Sequence, residues 1–190
     1  MNVVRRVPGM TREQFFGWAE AQNERYEFDG FQPVAMTGGT NNHSMICHNL
    51  WAALRAQLQG GPCQVLGPDA GFATVGDTVR YPDALVTCSK VPGMARLVPG
   101  VVVVFEVLSP TSGRTDRIDK LLEYRAVPGL RRYVILEHES VGATVYARGD
   151  EGWTVHPLAD GTLDLPEVGV SVPLAELYED VEFDGTEQDQ

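Results

Sequence analysis

Lysine is scarce in this chain. Of its 15 basic residues only Lys90 and Lys120 are lysines. Lysine and arginine are both missing from residues 149–190, which hold 12 of the 26 acids, while residues 1–148 balance at +1. The formal charge of −11 therefore belongs to the C-terminal part, and the broad basic surface of a tight nucleic-acid binder is excluded. Only a local group remains, Arg114, Arg117, Lys120, Arg125, Arg131 and Arg132, which is compatible with phosphate contact. No run approaches the roughly 20 apolar residues that cross a bilayer, so no membrane partner is expected. The N-terminal MNVVRRVPGM lacks the apolar centre of a secretory signal. Cysteine is sparse too: Cys47, Cys63 and Cys88 are odd in number, widely spaced and in no ligand pattern. They read as free thiols of a cytoplasmic protein.

The 190 residues, 43% hydrophobic and 22% charged, suit one domain with a sizeable core. Thr11 caps a predicted helix to about Gln22, and Tyr26-Glu27-Phe28, Asp29-Gly30 and Phe31 onward read as a hairpin. A helix is predicted from about His43 to Gln59, with Ile46, Leu50, Ala53, Leu54 and Leu58 at helical spacing. His43 and His48 near its start read as exposed or capping residues rather than metal ligands, and Cys47 beside His48 forms no dyad. Strands follow near Gln64–Leu66, Gly71–Thr74 and Val79–Val86, then in the apolar run that begins at Val101. A helix from Thr115 or Asp116 to about Val127 precedes strands at Arg132–Glu137, Val141–Ala147 and Gly152–Pro157. The remainder is loosely patterned, with a short helix at Pro173–Tyr178. The economical fold is a single α/β (α+β) domain over residues 1–178 with an acidic, disordered tail at 179–190.

The stretch that carries chemistry is VVVVFEVLSP, residues 101–110. Its β-branched run reads as a strand buried on both faces, where Glu106 is costly unless it meets a cation, a proton or a metal. Asp83, in Tyr81-Pro82-Asp83-Ala84-Leu85-Val86, sits in a similar setting. If the two strands are neighbours, roughly 4.8 Å apart, both acids on one face can grip one hard cation such as magnesium. Such an ion neutralises charge on a phosphate and activates water, the two needs of phosphodiester hydrolysis. A nearby ammonium helps, and Lys120 follows on the next helix, four residues from both Asp116 and Tyr124. The bland reading of Lys120 is a surface pair with Asp116. Ile118, Leu121, Leu122 and Ala126 form the apolar stripe of that helix, so Lys120 would reach a site only around its edge. Glu27, the only acid within the hairpin strands, reads first as a solvent-facing strand residue.

The ordered set Tyr26-Glu27, Asp29-Gly30, His43, Pro82-Asp83, Glu106-Val107-Leu108-Ser109-Pro110, Asp116, Lys120 and Tyr124 resembles the Uma-type (Uma-two) restriction endonuclease family of the PD-(D/E)xK nuclease superfamily. The likeness spans most of residues 10–180. It implies a mixed central sheet flanked by helices, restriction-endonuclease-like, acting as a Mg2+-dependent (or Mn2+-dependent) endonuclease on DNA. By that pattern Asp83 and Glu106 bind the metal with the backbone carbonyl of Val107, and Lys120 completes the catalytic set. It replaces the lysine that Leu108 displaces. Glu27 and Tyr124 are second-tier candidates, and a homodimer would serve a nuclease that cuts both strands. Two other readings compete. One is a catalytically inactive nuclease-fold module that binds nucleic acid or protein, favoured by the weak basic surface and by Leu108. The other, a two-carboxylate glycosidase, lacks an aromatic sugar cleft.

Overall fold

The computed structural model describes residues 9–36, 38–108 and 114–183, with backbone only at 114–117. Ser109, Pro110, the Asp116 side chain with its anticipated Lys120 pairing, and residues 184–190 lie outside the described residues.

Helix α1 (Arg12–Ala19) opens on a capping box in which the Thr11 hydroxyl accepts from the Gln14 N–H and the Gln14 side chain accepts from the Thr11 N–H. It ends at Ala19, short of the anticipated Gln22. Strands β1 (Tyr26–Phe28) and β2 (Pro33–Ala35) form the expected hairpin. Its turn is held by Asp29, whose carboxylate accepts from the Phe31 and Gln32 N–H groups at 2.8 and 2.7 Å. Thr40 caps helix α2 (Asn41–Leu58) through the His43 N–H. Next come β3 (Gln64–Leu66), β4 (Phe72–Ala73), β5 (Val79–Arg80) and β6 (Ala84–Thr87).

The single strand expected over Val79–Val86 is thus two strands in different sheets. Pro82 has no N–H to continue a ladder, and Asp83 lies in the break rather than within a strand. A four-stranded sheet runs β2-β1-β5-β4. The central sheet adds β7 (Val101–Val107), helix α3 (Arg114–Ala126), β8 (Arg132–Leu136), β9 (Ala143–Gly149) and β10 (Gly152–Leu158) in the order β10-β9-β8-β7-β6-β3. Only the β7–β8 pair is parallel, as a strand–helix–strand crossover through α3 requires. β6 and β7 are antiparallel neighbours, Ala84 facing Phe105, so the register carried one residue further sets Asp83 opposite Glu106.

Alternation along β7 divides the core. Val103, Phe105 and Val107 face α2, whose Ile46, Leu50, Ala53 and Leu54 are buried against them. Val104 and Leu108 face the other way, with Tyr124, Leu130, Tyr133 and Ile135. A third cluster, Phe15, Phe28 and Val79, seats α1 on the hairpin sheet. The loosely patterned C-terminal part holds a second hairpin, β11 (Thr162–Leu165) and β12 (Val170–Pro173), before α4 (Leu174–Leu177). Its alternating Leu163, Leu165, Val170 and Val172 are all buried.

Three expectations are corrected here. Residues 179–183, assigned to a disordered tail from the sequence, pack on the domain: Phe183 lies against Tyr178, while Asn42 and Asn49 donate to the Glu182 and Glu179 carbonyls. Cys63 and Cys88 form a disulfide between the ends of β3 and β6, whose Gln64–Thr87 pairing brings them together. That leaves Cys47 as the free thiol and removes the cysteine argument for a cytoplasmic chain. Finally, Ile118 and Leu122 of the anticipated apolar stripe are 48% and 59% exposed, whereas Tyr124 is fully buried. Among the described residues no helix is long and apolar enough to cross a membrane.

Candidate active site

The site forms where the β5–β6 break meets the C-terminal end of β7. Asp83 is fixed from two sides. Its Oδ2 accepts from the Val107 N–H at 2.7 Å, and its backbone carbonyl accepts from the Trp51 indole at 2.9 Å. The free Oδ1 lies 3.4 Å from His43 Nε2. The hydrogen bond to Asp83 raises the His43 pKa, burial opposes it, and the Asp83 and Glu106 charges and the Val107 carbonyl add to the rise. Val107 therefore presents its N–H to Asp83.

Glu106 points from β7 toward α3. Tyr124 donates its hydroxyl to Oε1 at 2.7 Å, and Lys120 Nζ lies 3.3 and 3.4 Å from the two carboxylate oxygens. Burial pushes the Glu106 pKa up to about 7; Lys120 opposes this, Asp83 and Glu27 add to it, and the Tyr124 bond opposes it. Burial is thus the leading cause, and the Asp83 and Glu27 charges reinforce it.

Glu27 is no solvent-facing strand residue. It is buried, accepts from the Tyr81 N–H and from Arg80 Nη1, both at 3.1 Å, and sits 3.6 Å from Lys120 Nζ. Arg80, itself buried, also grips Glu123 of α3 with two bonds of 2.8 and 2.7 Å. This arginine ties the hairpin sheet to α3 and so sets the position of Lys120. The lysine reaches the strand directly, because α3 turns its polar residues inward. Leu108, where a lysine was lacking, is buried in the apolar cluster.

Glu106, Lys120, Glu27 and Tyr124 thus meet at one point, and Asp83 is joined to the same strand through the Val107 N–H. The reading from sequence missed Arg80 and Glu123 and left His43 as a cap. Arg80 carried a signal, since a base within the apolar Val79-Arg80-Tyr81 calls for a buried acid. An open groove of about 600 Å³, lined by Thr40, His43, Cys47, Trp51 and Asp83 among others, gives access to the pocket.

A mixed sheet flanked by helices, with acids at the ends of adjacent strands, places the chain in a nuclease-like fold class. It superposes with a TM-score of 0.73 on the crystal structure of a putative nuclease belonging to DUF820 from Anabaena variabilis, covering 90% of this chain and 98% of that one at 15% identity. Residues 12–175 match the family Uma2, described as putative restriction endonuclease, and the chain belongs to that family. It is 31% identical to the uncharacterized protein slr1290 of Synechocystis sp. over 181 residues, 93% of this chain and 95% of that protein. It is also 22% identical to the uncharacterized protein sll1609 of the same organism, over 83% of this chain and 92% of that one.

Proposed function

We propose that the protein is a divalent-cation-dependent endonuclease that hydrolyses DNA phosphodiester bonds. The observation that carries this reading is the meeting of Glu106 and Glu27 at Lys120, with Asp83 set opposite Glu106 by the strand register and bonded to the Val107 N–H. Asp83, Glu106 and the Val107 carbonyl form an all-oxygen donor set that suits a hard cation, magnesium or manganese. Bound there, the ion would supply positive charge against a phosphate oxygen.

The remaining roles fall to the chain itself. The Val107 N–H orients Asp83, and Tyr124 orients Glu106. Lys120 places its ammonium beside Glu106, where it can position a water for in-line attack or offset the charge that grows on the pentacoordinate phosphorus. Glu27, braced by Arg80 and the Tyr81 N–H, holds that ammonium in place.

The test is cleavage of supercoiled, single-stranded and branched DNA with magnesium or manganese. Nicking by the wild type, lost in Asp83→Asn and Glu106→Gln, is the expected result. A wild type that cuts none of these substrates with either metal would instead mark a nuclease-fold binding module.

A further inference from the structure

Beside the carboxylate pair lies a second donor set of different chemistry. His43 and Cys47 are four residues apart near the start of α2, so they share one face of the helix. His43 Nδ1 lies 3.7 Å from Cys47 Sγ, and its Nε2 lies 3.4 Å from Asp83 Oδ1. One ligand atom from each of His43, Cys47 and Asp83 lies within 4.8 Å of the others. Zinc bonds of about 2.0–2.3 Å in tetrahedral array hold their ligands roughly 3.5 Å apart, so a turn of the His43 ring that faces one nitrogen to both thiol and carboxylate closes the set. The Val107 N–H occupies Asp83 Oδ2 and leaves Oδ1 turned to this group. The groove that all three residues line offers entry and room for water as a fourth ligand.

Thiolate and imidazole are poor partners for magnesium and good ones for zinc-like cations. We propose that His43, Cys47 and Asp83 form a second metal site, selective for zinc-type cations, which shares Asp83 with the carboxylate pair. The coordination balances simply: the Cys47 thiol gives its proton to solvent as the sulfur–metal bond forms, and the imidazole binds neutral. No electron is transferred. Because Asp83 serves both sites, zinc in this one competes with the hard cation for that carboxylate and inhibits cleavage. That consequence rests on the proposed nuclease function, whereas the binding itself does not.

Cobalt(II) is the probe, added to the metal-stripped full-length protein. The expected spectrum has the intense visible bands of a four-coordinate ion and a thiolate-to-cobalt charge-transfer band, both removed by added zinc. Cys47→Ser should lose the charge-transfer band, and Glu106→Gln should keep it. His43→Ala should weaken binding by about 10-fold or more, given the loss of one of three protein ligands. Cys47→Ala serves as a second variant, with far-ultraviolet circular dichroism confirming that each is folded. A wild type without the charge-transfer band, or a band that survives in folded Cys47→Ser or Cys47→Ala, overturns the proposal. Weak, six-coordinate bands abolished by Glu106→Gln would also overturn it, by moving the metal to the carboxylate pair; the nuclease reading would stand.

Discussion

The two faces of the central sheet are covered by helices built on opposite rules. On one face α2 turns Ile46, Leu50, Ala53 and Leu54 inward, and along these residues the contact is apolar. On the other, α3 turns Lys120, Glu123 and Tyr124 inward and leaves Ile118 and Leu122 largely exposed. The first face is held by area removed from water, at roughly 1.5–3 kcal/mol for each large side chain. The second is held by paired charges whose desolvation largely cancels their attraction, so it adds little net stability. What that face gains is position. Arg80 spans Glu27 and Glu123, and through them Lys120 is set beside Glu106. A helix that contributed only stability would have the inverse pattern.

The sharpest break of this contrast is catalytic. Under the proposed function, Glu106→Gln should lower DNA cleavage by about 10³-fold or more while leaving the fold intact, as loss of a group that stabilises the transition state does. Measured rates on plasmid, together with thermal melts, check both halves. Next in size, Arg80→Met should cost roughly 3–5 kcal/mol, because it strands two buried carboxylates without a partner. Denaturant unfolding measures it, and Arg80→Lys should restore only part, lacking the two-pronged grip on Glu123.

On the apolar face, Leu50→Ala should cost about 2–5 kcal/mol through the cavity it leaves. Activity per folded molecule should be unchanged, which separates this face from the other. A drop in cleavage beyond the unfolded fraction would show that Leu50 does more than fill the core.

A smaller effect follows from Glu106 itself. Its folded pKa of about 7 lies above the ordinary 4.5, so the folded state holds that proton more tightly than the unfolded chain. The stabilisation is complete below about pH 4.5 and is lost as pH rises through 7. Without divalent metal, the wild type should lose on the order of 1–3 kcal/mol across that window relative to Glu106→Gln. Melting curves over pH test this, and Glu106→Gln should flatten the slope. The smallest effect belongs to the outer surface of α3: Leu122→Gln should change stability by less than about 0.5 kcal/mol.

Much of this architecture was legible from local signals. The Thr11 and Thr40 caps, the Asp29-Gly30 turn and the β-branched run before Glu106 each depend on neighbours a few residues away, and each element forms where those signals stand. The β11–β12 hairpin carried a signal as well, in the alternation of Leu163, Leu165, Val170 and Val172. Pro82 likewise marked the break that separates β5 from β6. The inward face of α3 was harder to read. Its wheel offered Ile118 and Leu122 as the apolar stripe, but the seat of that helix is decided by Arg80 and Glu106, which lie on other elements.

From sequence alone came the order of the main helices and strands up to β10, save the β5–β6 break, the pairing of Asp83 with Glu106 as a question, and Lys120 as the lysine within reach. Tertiary structure alone decided that Glu27 is buried against Arg80, that His43 and Cys47 border the pocket, and that Cys63 meets Cys88. The reason is physical. Caps, turns and periodicity are set by short-range hydrogen bonding and burial along one segment, whereas these contacts join residues from 25 to more than 50 positions apart. Only the packing of sheets and helices fixes which of them meet.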